Sequence, residues 1–263
     1  PVPGVFLAGT AQGPKDVKEA LAQAYAVAAK AAALLNKGYV EKEPLVAVID
    51  ESKCIKCGAC IRVCPYNAIE GEPKKYVRVI QAACEGCGAC AAECPTGAIT
   101  IPAFTDEDIY KQIEAALEEE GEKKPIAFTC FWCSYAAADN TGIFKVQYPV
   151  SPRLIRLPCS SRVGWRHVKK AFELGAPAVA VTGCRIGDCH YQNANTHTVR
   201  RFKAWKALTK RLGIRDERFI LRLFGAPDVP DFVETMKHLD RVAKEVSPEE
   251  ISETAEKLRR MKP

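Results

Sequence analysis

The sequence has no apolar run long enough to cross a bilayer. Its longest weakly charged stretch, Ala20 to Leu35, is alanine-rich and interrupted by Lys30, short of the ~18 strongly apolar residues that a span needs. The first ten residues, PVPGVFLAGT, lack the basic segment and long apolar stretch of a secretory signal. The thiols are therefore expected in a reducing, cytoplasmic compartment, which disfavours disulfides. Acid is missing altogether from Asn140 to Phe172, where Lys145, Arg153, Arg156, Arg162, Arg166, Lys169 and Lys170 stand unopposed. Such a strip suits a negatively charged partner or an ordinary solvated surface. Nucleic acid is not expected, because no recognition motif or basic–aromatic interleaving accompanies it. The strip is part of a wider asymmetry: residues 1–124 hold 14 Lys+Arg against 18 Asp+Glu, and residues 125–263 hold 24 against 14.

What is abundant is cysteine, 13 in 263 residues, within a composition that is 48% apolar and otherwise ordinary. The length suits about two domains with real cores, and the pattern predicts an α/β and α+β multidomain chain. Residues 4–9, GVFLAG, read as a short buried strand with a glycine turn, and Pro14 and Asp16 then open a helix to Asn36 that Gly38 stops. One strand–turn–helix unit cannot make a domain by itself. Residues 44–103 are short strands and turns around eight cysteines, and 104–124 are an amphipathic helix, capped by Thr105 or Asp106, with a linker at 121–124. In 125–246 strands are predicted at Ile126–Thr129, Leu154–Leu157, Ala178–Thr182 and Phe219–Phe224, with helices between them: an open α/β sheet. A helix from about Tyr191 to Leu212 would turn Val199, Phe202, Trp205, Leu208 and Leu212 to one face, and Ser247-Pro248-Glu249-Glu250 opens a final helix in 247–263.

Cys54, Cys57, Cys60 and Cys64 recur 30 residues later as Cys84, Cys87, Cys90 and Cys94, with Pro65 and Pro95 after each last cysteine. Each half has the C-x2-C-x2-C-x3-C-P spacing in which three thiolates wrap one cubane and the fourth reaches the other. The expected sets are Cys54, Cys57, Cys60 and Cys94 for one [4Fe–4S] cluster, and Cys84, Cys87, Cys90 and Cys64 for the second. Structural zinc fits poorly, because it usually takes two separated C-x2-C pairs. Residues 46–102 resemble a bacterial-type two-cluster ferredoxin, which implies one-electron relay.

Five cysteines remain: Cys130 and Cys133 in FTCFWCSY, Cys159 in LIRLPCSS, and Cys184 and Cys189 in TGCRIGDCHY. Cys130, Cys159 and Cys184 each fall just after a predicted strand, where open α/β sheets assemble their sites. A [2Fe–2S] cluster, a zinc site or a redox-active dithiol could follow. A [2Fe–2S] cluster takes four ligands, so Cys130, Cys159 and Cys184 would be joined by Cys133 or Cys189, with a slight preference for Cys189. Arg162 or Arg185, if turned inward, would raise the thiolate character of the spare cysteine. His190 suits a supporting role beside the site rather than ligation. His167, His197 and His238 are expected on the surface or in the core, and Trp132, Trp165 and Trp205 are expected to pack.

The motifs FxWCSYAAAD, LPCSSRV and GCRIGDCHYQ make residues 125–245 similar to the delta subunit of methyl-viologen-reducing hydrogenase, which implies the [2Fe–2S] centre. One departure is Ser161, where that family commonly has glycine. GVFLAGTAQGPKDVKEALAQAYAVAAKAA followed by a two-cluster ferredoxin resembles the carboxyl end of the A-type flavoprotein subunit of heterodisulfide reductase. That resemblance makes residues 1–43 an FAD-contacting tail, with Gly9, Thr10 and Gln12 as contacts. The amino-terminal dinucleotide-binding repeats are absent, so FAD requires a missing segment or a partner chain. Taken together, these resemblances imply an electron-transfer subunit rather than a stand-alone catalyst. Its implied partners are a flavin-binding subunit or segment, a donor such as hydrogenase or formate dehydrogenase at the delta domain, and other heterodisulfide reductase-type subunits. Flavin-based bifurcation is the most specific implication. A quinone-linked redox complex and a zinc-binding interaction module are the competing readings.

Overall fold

Asp16 accepts a hydrogen bond from the Glu19 backbone N–H at 2.8 Å and so opens helix α1 (Val17–Asn36). Gly38, at φ +69°, donates back to the Leu35 carbonyl and ends it. The computed structural model describes residues 5–39, 44–118 and 124–261. Two compact units result, Pro1–Pro44 and Leu45–Pro263.

In the first unit the expected strand does not form. Residues 5–8 carry no strand, Val5 and Leu7 are exposed, and Gly9–Gln12 coil into a short 3-10 turn; Gly4 lies outside the described residues. The physical reason is pairing: a strand needs a neighbour for its backbone groups, and among the described residues of this unit there is no other strand.

The second unit begins with two antiparallel ribbons, β1 (Val48–Ile49) with β4 (Ile99–Thr100), and β2 (Ile69–Glu72) with β3 (Tyr76–Val79). Two short helices, α2 (Ala59–Arg62) and α3 (Ala89–Glu93), each start after a left-handed glycine, Gly58 at φ +72° and Gly88 at φ +80°. The 30-residue sequence repeat is thus repeated in the backbone.

Helix α4 (Asp106–Leu117) follows, opened by a capping box between Thr105 and Asp108. It is no mere connector, since Ile109 and Ile113 are fully buried in the main core; of the expected linker, residues 121–123 lie outside the described residues. A four-stranded parallel sheet then forms in the order β6-β5-β7-β8 from β5 (Ile126–Cys130), β6 (Arg153–Leu157), β7 (Val179–Gly183) and β8 (Phe219–Leu223). All five residues of β5 and of β7 are buried, as a sheet covered on both faces requires. One face packs Phe128 and Val181 against α4, α6 (Trp165–Glu173), α7 (Ala194–Arg211) and α9 (Pro248–Arg260). The other packs Ala127 and Ala180 against α5 (Ala136–Ile143) and α8 (Val229–Glu245). The chain leaves β5 for β6 on one side and then crosses to β7 on the other, which makes the carboxyl end of β5 the topological switch point.

Helix α7 is rotated from its expected setting. Asn195, Thr198, Arg201, Trp205 and Thr209 are buried, and Val199, Phe202 and Leu208 are half-buried. Its first turns face polar loops rather than the apolar sheet, so polar side chains are the ones that find partners there. Among the described residues no helix is long and apolar enough to cross a membrane.

Candidate iron–sulfur sites

In the ferredoxin lobe the short helices bring the cysteines of the two repeats together crosswise. Cys54, Cys57, Cys60 and Cys94 line one small cavity, and Cys64, Cys84, Cys87 and Cys90 line another. Backbone N–H groups point at the sulfurs: Ala47 donates to Cys84 Sγ and Ala68 to Cys64 Sγ, both at 3.3 Å. Burial pushes the Cys87 thiol up to about 12, and Cys90 well above its usual range. At Cys94 burial also pushes upward, but hydrogen bonds from Thr96, Ile99 and Ala98 outweigh it and lower the thiol.

The second site lies at the switch point. Cys130 ends β5, Cys159 follows β6 by two residues, and Cys184 follows β7 directly. A π-turn, Phe131–Tyr135, carries Cys133 back over the strand end, held by Ser134 Oγ accepting from the Cys130 N–H at 2.9 Å. The sulfurs of Cys130, Cys133 and Cys184 lie within 4.8 Å of one another and are buried. Cys130 also meets Cys159, and Cys189 meets both Cys159 and Cys184, so the structure brings all five thiols together. Hydrogen bonds from Cys130, Cys133 and Cys189 hold Cys184 far below the usual thiol range, while their donors Cys130 and Cys189 are pushed up. Five buried cysteines packed together are soft donors, which suits a soft metal that deprotonates its ligands.

The surroundings of the five thiols were only partly legible. Asn195 Nδ2 donates to the carbonyls of Cys184 and Arg185 at 2.9 and 3.0 Å and ties that loop to α7. His190 stacks on Trp132 with ring centroids 3.7 Å apart, and Trp132 Nε1 donates to the Tyr191 hydroxyl at 3.1 Å. The Trp132–His190 pair, next in sequence to Cys133 and Cys189, is exposed, while Trp165 and Trp205 pack together at 6.2 Å over the sheet core. Neither arginine singled out in the sequence turns toward the five thiols: Arg185 pairs with Asp228 at 2.8 Å, and Arg162 faces the ferredoxin lobe.

Arg162 is fully buried. Its Nε donates to the Phe104 carbonyl at 2.9 Å and its Nη2 to Asp106 Oδ1 at 2.7 Å. Asp106 also accepts from Arg166 Nη1 at 2.6 Å and from His167 Nε2 at 2.9 Å. Burial pushes the Asp106 carboxyl up, but His167 and Arg162 outweigh it and hold the group ionised below the usual range. Arg166 reaches the Cys94 carbonyl, Lys170 pairs with Glu114 at 2.7 Å, and Lys169 donates to the Met261 carbonyl at 3.1 Å. The acid-free strip is thus largely spent on internal contacts, four of its bases binding elements distant in sequence. Nothing in the sequence spacing marked Asp106 or Glu114 as their counter-charges.

In the amino-terminal unit, the Gly9 N–H donates to Gln23 Oε1 at 2.8 Å, Gln23 Nε2 to Gln12 Oε1 at 2.9 Å, and Gln12 Nε2 to the Leu7 carbonyl at 3.0 Å. Gln23 thereby closes the Gly9–Gln12 turn onto the helix, while Thr10 contributes its carbonyl to the Gly13 N–H at 3.1 Å.

Two stretches of the chain match known families. Residues 47–101 match the 4Fe-4S dicluster domain, and residues 126–247 match the methyl-viologen-reducing hydrogenase delta subunit. The A-type subunit of the ferredoxin:CoB-CoM heterodisulfide reductase of Methanosarcina mazei is 40% identical over 249 residues, covering 94% of this chain and 31% of the relative. The A-type subunit of the H(2):CoB-CoM heterodisulfide,ferredoxin reductase of Methanothermobacter thermautotrophicus is 53% identical over 119 residues, 45% of this chain and 18% of that one. The chain thus spans about a third of the length of the Methanosarcina reductase subunits it matches. The D-type iron-sulfur subunit of the F420-non-reducing hydrogenase of Archaeoglobus profundus is 36% identical over 132 residues, which are 50% of this chain and 96% of the relative. The chain belongs to the family of the methyl-viologen-reducing hydrogenase delta subunit, carried in one polypeptide with a 4Fe-4S dicluster domain.

Proposed function

We propose that this chain is an iron–sulfur electron relay within a heterodisulfide reductase-type complex. The observation that carries the reading is the crosswise sorting of eight ferredoxin thiols into two cavities of four, in the same compact unit as five converging thiols at the sheet switch point. Cys54, Cys57, Cys60 and Cys94 would hold one [4Fe–4S] cluster, and Cys64, Cys84, Cys87 and Cys90 the other. Cys130, Cys159 and Cys184 would hold a [2Fe–2S] cluster with Cys133 or Cys189. The donor sets fit: the two sets of four are thiols lining small, largely apolar cavities, with backbone N–H groups directed at the Cys64 and Cys84 sulfurs, and the five further thiols are buried together, which suits soft iron–sulfur clusters.

When bound, the clusters supply one-electron oxidation and reduction, and the protein supplies ligands, spacing and exclusion of water. A donor oxidoreductase, a hydrogenase or formate dehydrogenase, would deliver electrons at the delta lobe. An FAD held by a missing segment or partner chain near Gly9, Thr10 and Gln12 would exchange them at the amino-terminal unit, where flavin-based bifurcation would take place. The names of the relatives, reductase subunits on one side and hydrogenase subunits on the other, support this pair of redox partners. Anaerobic affinity purification from the native organism tests it: such subunits should co-purify, and the 263-residue chain purified alone should retain no stoichiometric FAD. Tight FAD on the isolated chain, or recovery with nucleic acid instead of redox subunits, would contradict the reading.

A further inference from the structure

Two arginines of the delta lobe reach the ferredoxin lobe at its glycines. The stem of Arg162 lies against Gly88, between Cys87 and Cys90, where a built β-carbon would fall 2.5 Å from Cδ. Gly88 lines the cavity of Cys64, Cys84, Cys87 and Cys90. Arg166 lies at Gly97, three residues after Cys94, with Nη1 3.0 Å from the β-carbon that the glycine lacks, and its Nη2 donates to the Cys94 carbonyl. Cys94 lines the other cavity. One arginine is thus seated at each group of four thiols. The two guanidiniums share a single carboxylate: Asp106 accepts from Arg162 Nη2 at 2.7 Å and from Arg166 Nη1 at 2.6 Å. Its third neighbour, His167, accepts the Gly164 N–H at Nδ1 and turns Nε2 to Asp106, so the ring is neutral. Two positive charges then face one negative. Arg162 is fully buried, and its Nη1 has no hydrogen-bond partner among the described residues. Glu93, next in sequence to Cys94, repeats the ratio, accepting from Arg201 Nη1 at 2.9 Å and from the exposed Arg200 Nη2 at 3.3 Å.

We propose that the Arg162–Asp106–Arg166 network sets the midpoint potentials of the ferredoxin centres, its surplus positive charge stabilising their reduced state and so raising those potentials. This rests on the reading that the eight ferredoxin thiols hold clusters. In the step concerned, a one-electron donor is oxidised by one electron and a centre is reduced by one. No covalent bond forms or breaks, and no proton moves: both guanidiniums stay charged and Asp106 stays ionised. Reduction adds a negative charge beside fixed positive ones, in an interior where their attraction is screened far less than in water. A buried guanidinium left short of partners is costly to hold, and a nearby negative charge relieves that cost. Net charge and hydrogen bonding are among the factors that set a cluster's potential, and this network supplies both. The delta lobe therefore tunes the ferredoxin lobe to which it is joined, in addition to carrying its own thiols.

The test uses the full chain, reconstituted anaerobically, as wild type, Arg166→Gln, Arg166→Lys and Asp106→Asn. Iron and acid-labile sulfide are counted first, and the midpoint potentials of the [4Fe–4S] centres are then taken by titration with dithionite, followed by electron paramagnetic resonance. Arg166 is half-buried, so Arg166→Gln should keep full iron and sulfide. It should titrate at a lower potential than the wild type, while Arg166→Lys, which keeps the charge, should stay close to the wild type. Asp106→Asn removes the negative charge instead and should titrate at a higher potential. Both neutral variants loosen the same network and should lower the melting temperature together, so potentials that move in opposite directions are the signature that a purely structural role does not give. Where Asp106→Asn fails to assemble, the comparison of Arg166→Gln with Arg166→Lys decides. Unchanged potentials in fully loaded Arg166→Gln, or shifts of the same sign in both neutral variants, would overturn the proposal. Zinc in place of iron and sulfide in the wild type would overturn instead the functional reading on which it rests.

Discussion

Arg162 occupies the space that a side chain on Gly88 would need: a β-carbon built there falls 2.5 Å from Arg162 Cδ and 2.9 Å from its Cβ. Gly88 opens the helix that carries Cys90, and Arg162 follows Cys159 by three residues, so the two lobes are fitted to each other at a glycine. Gly88→Ala therefore meets two penalties, about 1–2 kcal/mol for a left-handed alanine and about 1–3 kcal/mol for overpacking. The variant should melt at a lower temperature than Gly58→Ala, whose built β-carbon meets Pro73 Cγ at 3.2 Å and no buried arginine. Equal melting temperatures for the two variants would show that the Gly88–Arg162 fit contributes nothing.

Asp106 gathers Arg162, Arg166 and His167. Asp106→Ala leaves the fully buried Arg162 without its counter-charge, a loss of about 3–5 kcal/mol when one partner of a buried pair is removed. Chemical denaturation should show a loss of that order. A change under about 1 kcal/mol would mean that the arginine finds other partners.

His167 makes the interface sensitive to acid. Its Nδ1 accepts from the Gly164 N–H at 2.9 Å and its Nε2 faces Asp106 at 2.9 Å, which assigns the proton to Nε2. A second proton would have to sit on Nδ1 against an N–H. Burial, with Arg162 and Arg166 nearby, pushes the ring down to about 4 despite Asp106, while Tyr110 meets it edge-on. A folded pKa below the unfolded value of about 6.5 means that the unfolded chain binds more protons in that window. The contribution of His167 is full above about pH 6.5 and is lost as pH falls toward 4. The lowered Asp106 acts in the same direction at still lower pH. Melting temperatures between pH 7 and 5 should fall for the wild type and fall less for His167→Gln; parallel curves would assign the loss elsewhere.

Much of this was legible and some was not, for physical reasons. Cysteines brought to one cavity by tight turns and short helices sit at fixed backbone spacings, so the 30-residue repeat displayed both groups of four. Parallel strands buried on both faces are apolar runs, so their ends, and with them Cys130, Cys159 and Cys184, were visible within a residue or two. Pairs separated by 56 to 108 residues, such as Asp106 with Arg162 or Glu93 with Arg201, leave no local pattern. The rotated setting of α7 was hidden for the same reason: Arg201 and Thr198 are buried by partners that only the tertiary fold supplies. Residues 5–8 misled because an apolar run is not sufficient for a strand without a neighbour.

Single substitutions separate the ligands. Cys94→Ala should damage the centre of Cys54, Cys57 and Cys60, with which it shares a cavity, and spare that of Cys84, Cys87 and Cys90. Among the five thiols, replacing Cys130, Cys159 or Cys184 should abolish the [2Fe–2S] signal, and one of Cys133→Ala and Cys189→Ala should retain it. Electron paramagnetic resonance reads both. Selective loss of the Cys84–Cys90 centre in Cys94→Ala, or retention of the signal in Cys159→Ala, would refute the assigned sets.

The central claim is that these thirteen cysteines are cluster ligands and their neighbours, and metal analysis of the chain purified without oxygen tests it most directly. About ten iron atoms and about ten acid-labile sulfides per chain are expected, from two cubanes and one [2Fe–2S] centre. Stoichiometric zinc with little sulfide would contradict the account.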